Sequence, residues 1–462
     1  MQATETAAAR RDLDYHLHPT TNLASVQTEG PLVISRGDGV YVIDEAGNRY
    51  LEGMAGLWCA GLGFSEIRLA EAAYRQMKEL PFYHAFSGKV AAISTELAER
   101  LVGIAPAGLS KVFFANSGSE ANDSAVKLVW YYNNALGRTE KKKFVSRKRA
   151  YHGMTVAAAS LTGLPFAHGD FDVPAARFLH TETPHYWRGA RPGESEEAYA
   201  ARLADELERL ILAEGPDTVA AFIAEPVMGA GGVILPPATY FERVQQVLAK
   251  YDVLMIADEV ICGFGRTGNM FGSQTYGIRP DILTCAKQLT SGYQPMSAMM
   301  VSPTIYGVLE EQSRKLGIFG HGFTYSGHPV PAAVALETLL IYEERRLIEH
   351  VRTVSPLLQD GLAALADHPL VGEARGVGLI GAVELVADKA TKRPFDPKKM
   401  VGAATVNTLQ EMGLIVRNIQ DSVALCPPLI ITTDEIHEMF DIFEKGLDQM
   451  EAWARKENAR AA

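Results

Sequence analysis

The chain has 462 residues, of which 47% are hydrophobic and 21% charged, and it carries a formal net charge of −11 at pH 7. This length allows two domains with large cores, and the composition is that of a soluble globular protein, not of a disordered or fibrous one. The negative charge argues against a nucleic-acid partner, because a general phosphate-backbone binder carries an excess of basic residues.

The cysteines and the termini point to a reduced, soluble setting. Cys59, Cys262, Cys285 and Cys426 are far apart in the sequence, so none forms the close pair of a zinc or redox site, and no metal site is predicted. Residues 1–14 lack the apolar core of a secretory signal, and no apolar run approaches the roughly 20 residues that cross a bilayer. We therefore expect no membrane partner and a cytoplasmic location.

The first predicted elements are short N-terminal strands. They lie near residues 32–34, 40–43 and 50–51, and Gly47 and Asn48 form the turn before the last of them. We expect residues 1–65 to join a smaller domain formed by the C-terminal part of the chain.

From about residue 110, short β-branched runs alternate with helical stretches. This pattern is typical of a mostly parallel sheet covered by helices. The predicted strands cover residues 111–115, 143–149, 219–225, 253–260, 281–286 and 296–302. Helices are predicted over residues 120–137, 196–213 (with Ser195 as N-cap) and 240–250. Residues 66–330 are therefore predicted to form one large α/β domain.

The remaining residues, 331–462, read as a smaller α+β domain. A helix is predicted to about residue 350 and a second to 366, followed by strands over 379–385, 414–418 and 422–426. A final helix begins near Thr433.

Two of the predicted strands end in residues that can carry chemistry. Residues 253–258 form an apolar run that ends in Asp258, at the sheet edge where ligands bind in parallel sheets. A carboxylate buried there needs a cationic partner, and a protonated pyridine ring would serve. Residues 281–287 end in Lys287, whose amine would have a lowered pKa if the strand end is buried. A lysine at a strand end can also reach solvent, and the pairing with Asp258 favours the nucleophilic role.

Two further segments reach the same predicted edge. Residues 113–119 pass from a strand through Ser117 and Gly118 to Ser119 at the start of a helix, where backbone N–H groups and a hydroxyl suit a phosphate. A simple serine N-cap would look the same. Tyr151 ends the next strand and can stack on a flat ring, while Val260 packs on the other face.

Two glycine motifs raise the alternative of a dinucleotide site. Residues 263–268 fit G-x-G-x-x-G after a strand, but the residues that follow break helix periodicity, and the motif requires a helix there. Residues 376–381 fit the same pattern but precede a strand. We therefore expect neither to bind a nucleotide.

Taken in order, these motifs resemble the fold-type I pyridoxal-5′-phosphate (PLP) enzymes, and among them the class III aminotransferases of the ω-amino acid and amine:pyruvate branch. The resemblance covers nearly the whole chain. It rests on residues 51–59, 116–122, 151–153, 224–226, 258–268, Lys287 and 321–329. It implies an α/β fold with a mostly parallel seven-stranded sheet in the large domain, and PLP as cofactor.

The resemblance also implies roles for single residues. Lys287 would hold PLP as a Schiff base and move the proton during catalysis, with a pyridoxamine phosphate form between the two half-reactions. The cofactor-binding residues implied in this way are Ser117, Gly118, Ser119, Tyr151, His152, Glu225, Asp258, Val260, Lys287 and Thr324. Thr324 resembles the residue that reaches the phosphate from a neighbouring subunit, so we expect a homodimer, with a tetramer also possible.

Substrate residues follow from the same resemblance. Arg417 matches the arginine that clamps a keto-acid carboxylate and moves aside for an amine without one. Trp58, Phe86, Tyr151 and Phe166 resemble pocket walls and favour a hydrophobic or aromatic amine. The expected acceptor is pyruvate, with 2-oxoglutarate as the alternative.

Other readings of the sequence stay open. The same scaffold supports aminomutases and decarboxylases, and the motif at residues 263–268 leaves a nucleotide-dependent oxidoreductase as an alternative from another class. A non-catalytic protein is hard to reconcile with Lys287, Asp258 and Ser119 all being present. The sequence predicts an aminotransferase that moves an amino group from a primary amine or ω-amino acid to pyruvate.

Overall fold

The computed structural model describes residues 6–457. The prediction that residues 1–14 hold no secretory signal falls partly outside this range; within it, residues Ala7–Tyr15 form a helix with Thr6 as N-cap. Among the described helices, none combines the length and apolarity needed to cross a membrane.

The strands of the described chain build three sheets. In chain order they are β1 Ile34–Asp38, β2 Tyr41–Asp44, β3 Arg49–Glu52, β4 Lys111–Ala115, β5 Lys143–Arg147, β6 Phe178–Thr181, β7 Val219–Ala224, β8 Leu254–Asp258, β9 Ile282–Cys285, β10 Ser297–Val301, β11 Val371–Val377, β12 Ile380–Leu385, β13 Leu414–Ile415, β14 Arg417–Ile419 and β15 Ser422–Leu425.

The helices cover these sheets and connect their strands. In chain order they are α1 Ala7–Tyr15, α2 Leu23–Glu29, the single turn α3 Ala55–Trp58, α4 Ile67–Glu79, α5 Ala92–Ile104, α6 Gly118–Ala135, α7 Val156–Leu161, α8 Tyr186–Gly189, α9 Glu196–Glu214, α10 Tyr240–Lys250, α11 Gly272–Tyr276, α12 Pro303–Leu316, α13 Pro329–Glu344, α14 Leu347–Leu365, α15 Val401–Glu411 and α16 Thr433–Lys456.

The largest sheet has seven strands in the order β4-β10-β9-β8-β7-β5-β6. Strand β10 runs antiparallel to both of its neighbours, and the remaining neighbours pair in parallel. Strand β7 lies in the interior of the sheet, between β8 and β5, and is buried at all six positions, as expected of a parallel strand covered on both faces. The predicted α/β fold with a mostly parallel seven-stranded sheet is confirmed.

Two smaller sheets complete the fold. Strands β1, β2 and β3 form an antiparallel meander, and β13 from the C-terminal part of the chain adds to it in parallel, with Leu414 opposite Leu51. The other sheet has the order β11-β12-β15-β14 and is antiparallel throughout. The N-terminal strands therefore share a sheet with a strand that lies more than 350 residues later.

Most predicted helices occur near their expected bounds. Helix α10 has the predicted range, and α9 begins after Ser195, whose hydroxyl accepts a hydrogen bond from the backbone N–H of Ala198. Helix α6 begins at Gly118, two residues before its predicted start. The long C-terminal helices divide at Arg346, which has a left-handed backbone (φ +48°), and not at residue 350.

One strand prediction is corrected, and two strands were missed. The predicted strand 414–418 is two strands in different sheets, because the chain changes partner at Val416. Strands β6 and β11 were not predicted; β6 has only four residues, and β11 contains two glycines, a glutamate and an arginine.

Residues 263–271 form turns and bends, and the short helix α11 begins only at Gly272, so no helix opens directly after the glycine motif.

Candidate active site

Lys287 lies just beyond the end of β9, at an edge of the seven-stranded sheet. It begins a short 3-10 turn over Lys287–Thr290 and has a left-handed backbone, with φ +48°. Such a conformation is uncommon for a residue with a side chain and tends to occur at functional positions. Burial lowers the pKa of the Lys287 amine, against the opposing field of Asp258 and Glu225. The amine is therefore suited to act as a nucleophile and a proton carrier.

Asp258 is the last residue of β8 and is 3% exposed. Its Oδ2 accepts a hydrogen bond from Asn122 Nδ2 at 2.8 Å and lies 2.8 Å from His152 Nδ1. Its Oδ1 accepts a single bond, from the backbone N–H of Val260 at 3.1 Å. The carboxylate is thus held from one side, and Oδ1 retains a lone pair for a further donor.

A layer of polar residues behind Asp258 fixes its orientation. Asn122 Nδ2 also donates to the carbonyl of His152 at 2.7 Å, and its Oδ1 accepts from the hydroxyl of Thr284 at 2.8 Å. Asn122 and Thr284 are both buried. No role was predicted for either of them, although Asn122 belongs to the predicted motif. Asn122 lies one turn into a helix whose first turns are mostly polar, so its sequence position gave no signal that it is buried.

His152 was predicted to bind the cofactor, and the structure places it against Asp258. Its ring is buried, and Nε2 is among the buried polar atoms of the described chain that have no hydrogen-bond partner. Such atoms are rare in folded proteins, since a buried donor or acceptor without a hydrogen-bond partner lowers the stability of the fold. An orphaned ring nitrogen beside a partly satisfied carboxylate fits a site completed by another molecule.

The segment predicted to bind a phosphate is the start of α6. Ser117 is the N-cap, and its hydroxyl accepts from the backbone N–H of Glu120 at 3.2 Å. Ser119 Oγ accepts from the backbone N–H of Met154 at 3.1 Å. The first N–H groups of a helix have no partner within it, so those of Gly118 and Ser119 suit a phosphate.

Two glycines allow three segments to meet at this predicted phosphate site. A Cβ atom on Gly118 would lie 3.0 Å from Cγ2 of Val260. A Cβ atom on Gly153, where φ is +127°, would lie 2.4 Å from the hydroxyl oxygen of Ser119. The loops after β8 and β5 therefore approach the start of α6 as closely as backbone permits. The site fits a flat molecule with a phosphate at one end and a protonated ring nitrogen at the other.

Tyr151 and Arg417 define the outer part of the site. The backbone N–H of Tyr151 donates to Oε1 of Glu225 at 3.0 Å, and Gly229 donates to Oε2 at 3.2 Å. Burial raises the pKa of the Tyr151 hydroxyl, and the nearby Arg417 opposes this rise. Burial also raises the pKa of Glu225 and lowers that of Arg417. Glu225 thus holds the Tyr151 segment through backbone contacts.

The predicted pocket walls have very different environments. Trp58 is 3% exposed and packs in a cluster with Met54, Ile261 and residues of β12 and β15. Phe86 is 45% and Phe166 53% exposed. Thr324 is also exposed, and Phe86 lies beside Gly322, two residues before Thr324, since a Cβ on Gly322 would be 3.1 Å from Cζ of Phe86. Phe86, Phe166 and Thr324 thus lie on the surface of the single chain.

Comparison with known families and sequences gives one consistent result. Residues 23–447 match the model of the family described as aminotransferase class-III. Gamma-aminobutyrate transaminase 1, mitochondrial, of Oryza sativa subsp. indica is 56% identical over 422 residues, which are 91% of this chain and 82% of the relative. Gamma aminobutyrate transaminase 3, chloroplastic, of Solanum lycopersicum is 54% identical over 422 residues, which are 91% of this chain and 81% of that relative.

Solved structures agree with this result in fold. The omega transaminase from Pseudomonas jessenii in complex with PMP is 55% identical and has a TM-score of 0.96, with 97% of this chain and 99% of that one covered. A thermostable omega transaminase engineered for the synthesis of bulky amines, with a tryptophan, a phenylalanine and an arginine replaced, has a TM-score of 0.95 and 54% identity, covering 97% of this chain and 100% of that one.

Proposed function

The chain belongs to the class-III aminotransferase family, whose members use PLP, and from that premise we propose that it is an ω-transaminase. It moves an amino group from a primary amine or an ω-amino acid to pyruvate. The observation that carries the proposal is Arg417, a partly buried guanidinium beside Tyr151 at the outer end of the site.

The residues around Lys287 can be given roles in this reaction. When bound, PLP supplies an electron-withdrawing ring that stabilises negative charge on the carbon next to the amino nitrogen. Lys287 would hold the cofactor through its Nζ and would serve as the group that takes up and returns the proton of the substrate carbon. Asp258 would be the partner of the ring nitrogen and would favour its protonated form, since a buried carboxylate favours a neighbouring cation.

The remaining proposed residues bind and orient. Ser117, Gly118 and Ser119 hold the phosphate at the start of α6. Tyr151 covers one face of the ring, and Val260 packs on the opposite face. Supporting residues complete the set: His152 with Asn122 and Thr284 orients Asp258, and Glu225 fixes the backbone of Tyr151.

Arg417 is proposed to bind the substrate carboxylate. Within residues 6–457 its side chain has no hydrogen bond or ion pair to another residue, although it is partly buried. A partly buried guanidinium with unused N–H donors can bind a carboxylate through two parallel hydrogen bonds. Pyruvate brings such a group, and an ω-amino acid does too, whereas an aromatic amine does not.

Replacing Arg417 should therefore separate the substrates. Arg417→Leu is expected to raise the KM for pyruvate about 10- to 100-fold, the range for losing hydrogen bonds to a charged group. The KM for 1-phenylethylamine should change by less than about threefold, because this donor has no carboxylate. Steady-state kinetics with each substrate varied would measure both.

The matched control is Arg209→Leu, which removes an exposed arginine paired with Glu206 on α9. It should leave both KM values unchanged. An equal effect of Arg417→Leu on both substrates, or none on either, would contradict the assigned role.

The choice of amine donor has two candidates, each with its own support. The plant relatives are named gamma-aminobutyrate transaminases, which favours an ω-amino acid of that kind. The buried Trp58 and the aromatic residues Phe86 and Phe166 favour a hydrophobic or aromatic amine. In one similar engineered enzyme for bulky amines, residues of these same types, tryptophan and phenylalanine, are replaced.

Half-reactions would test each donor and the acceptor separately. The holoenzyme is mixed with (S)-1-phenylethylamine or with 4-aminobutyrate, and the visible absorbance of the cofactor is followed. We expect both donors to remove the visible band and pyruvate to restore it. Recovery of the band with 2-oxoglutarate but not with pyruvate would identify 2-oxoglutarate as the acceptor. Release of carbon dioxide would indicate a decarboxylase, and formation of an isomerised amine would indicate an aminomutase.

The exposure of three proposed site residues supports a site shared between two copies of the chain. Thr324 is exposed, as are Phe86 and Phe166, yet all three are proposed to contact cofactor or substrate. A second copy placing this surface over the opening of the first site would bury them. We propose a homodimer as the active form, with a pair of dimers as the larger alternative.

The cytoplasm is the proposed location. The plant relatives carry mitochondrial and chloroplastic names, and those names describe the relatives alone. Fractionation of the source cells would test the proposal.

A further inference from the structure

The turn that carries Trp58 has an unusual backbone. Within α3, Ala55 has φ +48°, Gly56 has φ +70° with ψ −91°, and Trp58 has φ +66°. The Gly56 values are close to those of the rare γ-turn, which is strained. Left-handed residues with side chains persist only where the surrounding structure holds them. Something must therefore hold this turn in place.

The side chain of Glu52 provides one such hold. Glu52 is the last residue of β3 and is 3% exposed, and its Oε2 accepts a hydrogen bond from the backbone N–H of Gly56. No ion pair to Glu52 occurs in the described chain. Burial raises the pKa of this carboxyl to about 8, so it is mostly neutral at pH 7. A buried carboxyl without a cation is costly, and here the carboxyl interacts with the backbone of Gly56 and of Met54, the N-cap of the same turn.

The backbone around Glu52 is anchored to the C-terminal strands. Glu52 is opposite Ile415 in the parallel pair of β3 with β13. The N–H of Gly53 donates to the carbonyl of Ile415 at 2.8 Å, and the carbonyl of Gly53 accepts from Cys426 at 2.7 Å. Gly53 also packs closely, because a Cβ there would lie 3.1 Å from Cγ1 of Val416. The same strand region leads directly to Arg417.

This turn also determines where Trp58 and Cys59 lie relative to the proposed reaction centre. Trp58 belongs to the same buried cluster as Ile261 and Cys262, which follow β8, and as Ile380 of β12 and Ala424 of β15. The next residue is Cys59. Burial raises the pKa of its thiol, and the nearby charge of Lys287 opposes this rise. A change in the turn would therefore move a wall of the proposed amine pocket without touching the groups that hold the cofactor.

We propose that Glu52 is a positioning residue for amine specificity: through its contact with Gly56 it holds the strained turn that places Trp58 in the pocket wall. This inference deepens the proposed function and rests on it, since it assumes that Trp58 contacts the amine. It assigns Glu52 no part in bond making or breaking.

The test compares an isosteric with a non-polar replacement. Glu52→Gln matches the neutral carboxyl in shape and keeps an oxygen that can accept from Gly56. Glu52→Leu replaces the carboxyl with an apolar side chain of similar size and so removes the acceptor. We expect Glu52→Leu to raise the KM for 1-phenylethylamine about tenfold, with the KM for pyruvate and the cofactor occupancy unchanged. Glu52→Gln should stay within about twofold of the wild type.

A second readout follows Trp58 itself. Acrylamide quenching of the Trp58 emission in the holoenzyme is obtained as the difference between each variant and the same variant with Trp58→Phe. Quenching should increase in Glu52→Leu and not in Glu52→Gln. Equal behaviour of the two variants, in KM and in quenching, would overturn the proposal.

Gly56→Ala approaches the same turn from its other end. Gly56 is exposed, and a Cβ there would meet only Cε1 of Phe64 at 3.8 Å, so the substitution acts on the backbone conformation without crowding. It should reproduce the effects of Glu52→Leu, which keeps the proposal testable if Glu52→Leu fails to fold. A wild type that does not turn over 1-phenylethylamine would refute the aromatic-donor proposal, whereas an active wild type with unchanged variants would refute the role of Glu52 alone.

Discussion

Lys287→Ala is expected to reduce turnover by about 10⁴-fold, the upper range for loss of a positioned proton-transfer group. The variant loses both the covalent attachment of the cofactor and the amine that moves the proton. Burial lowers the pKa of that amine, so it loses its proton more readily than a lysine in water. Turnover of amine and pyruvate by the wild type and the variant, both saturated with PLP, gives the ratio.

Borohydride reduction provides a measurement that is independent of turnover. In the wild type it should add the mass of the cofactor to the peptide that contains Lys287, and in the variant to no peptide. Lys250→Ala is the matched control, because Lys250 is exposed and paired with Glu208 on the protein surface. Labelling of a different lysine in the wild type, or activity of Lys287→Ala within tenfold of normal, would show that the assignment is wrong.

Asp258→Asn is expected to lower kcat by about 10²- to 10³-fold, with the cofactor still bound. The substitution keeps the shape of the side chain but removes the negative charge that pairs with the ring nitrogen, and losing one partner of a buried charged pair costs about 2–5 kcal/mol. The visible spectrum of the bound cofactor should change as well, because its ring nitrogen loses its proton.

A cofactor analogue tests the charge directly. If Asp258 acts by keeping the nitrogen positive, PLP methylated at that nitrogen should restore part of the activity of Asp258→Ala, which has room for the methyl group. Glu259→Gln is the neighbouring control: Glu259 is buried and accepts hydrogen bonds from Gly272 and Ser273, so its loss should lower thermal stability but not kcat at saturating PLP. Failure of the analogue to raise activity would argue that Asp258 acts by orientation alone.

The central sheet could be predicted because its strands are short apolar runs ended by charged or polar residues. Asp258 is indeed the last residue of β8, and Lys287 follows β9 by two positions. Strand β6 was missed because it is an edge strand of four residues that includes His180, so that neither a buried run nor a regular alternation is visible. The division at Val416 was missed because a change of pairing partner leaves no mark on local hydrophobicity.

The candidate site was predictable in part, and the limits have a physical cause. Residues at strand ends and at the start of α6 are marked by sequence position, since the topology brings them to one edge. The roles of Asn122 and Thr284 depend on a hydrogen-bond chain between residues 162 positions apart, which no local pattern records. Glu52 reads as an ordinary carboxylate after a strand until its burial and its contact with Gly56 are known.

Helix α6 contributes to the site at two levels. Its first residue, Gly118, lies in the proposed phosphate site, and Asn122, one turn later, donates a hydrogen bond to Asp258, the proposed partner of the ring nitrogen. The rise between them is about 6 Å, set by helix geometry and not by any flexible loop. The helix thus fixes the distance between the proposed phosphate site and Asp258. An analogue whose phosphate arm is longer by one carbon could bind at the phosphate site but could not place its ring nitrogen beside Asp258 at the same time.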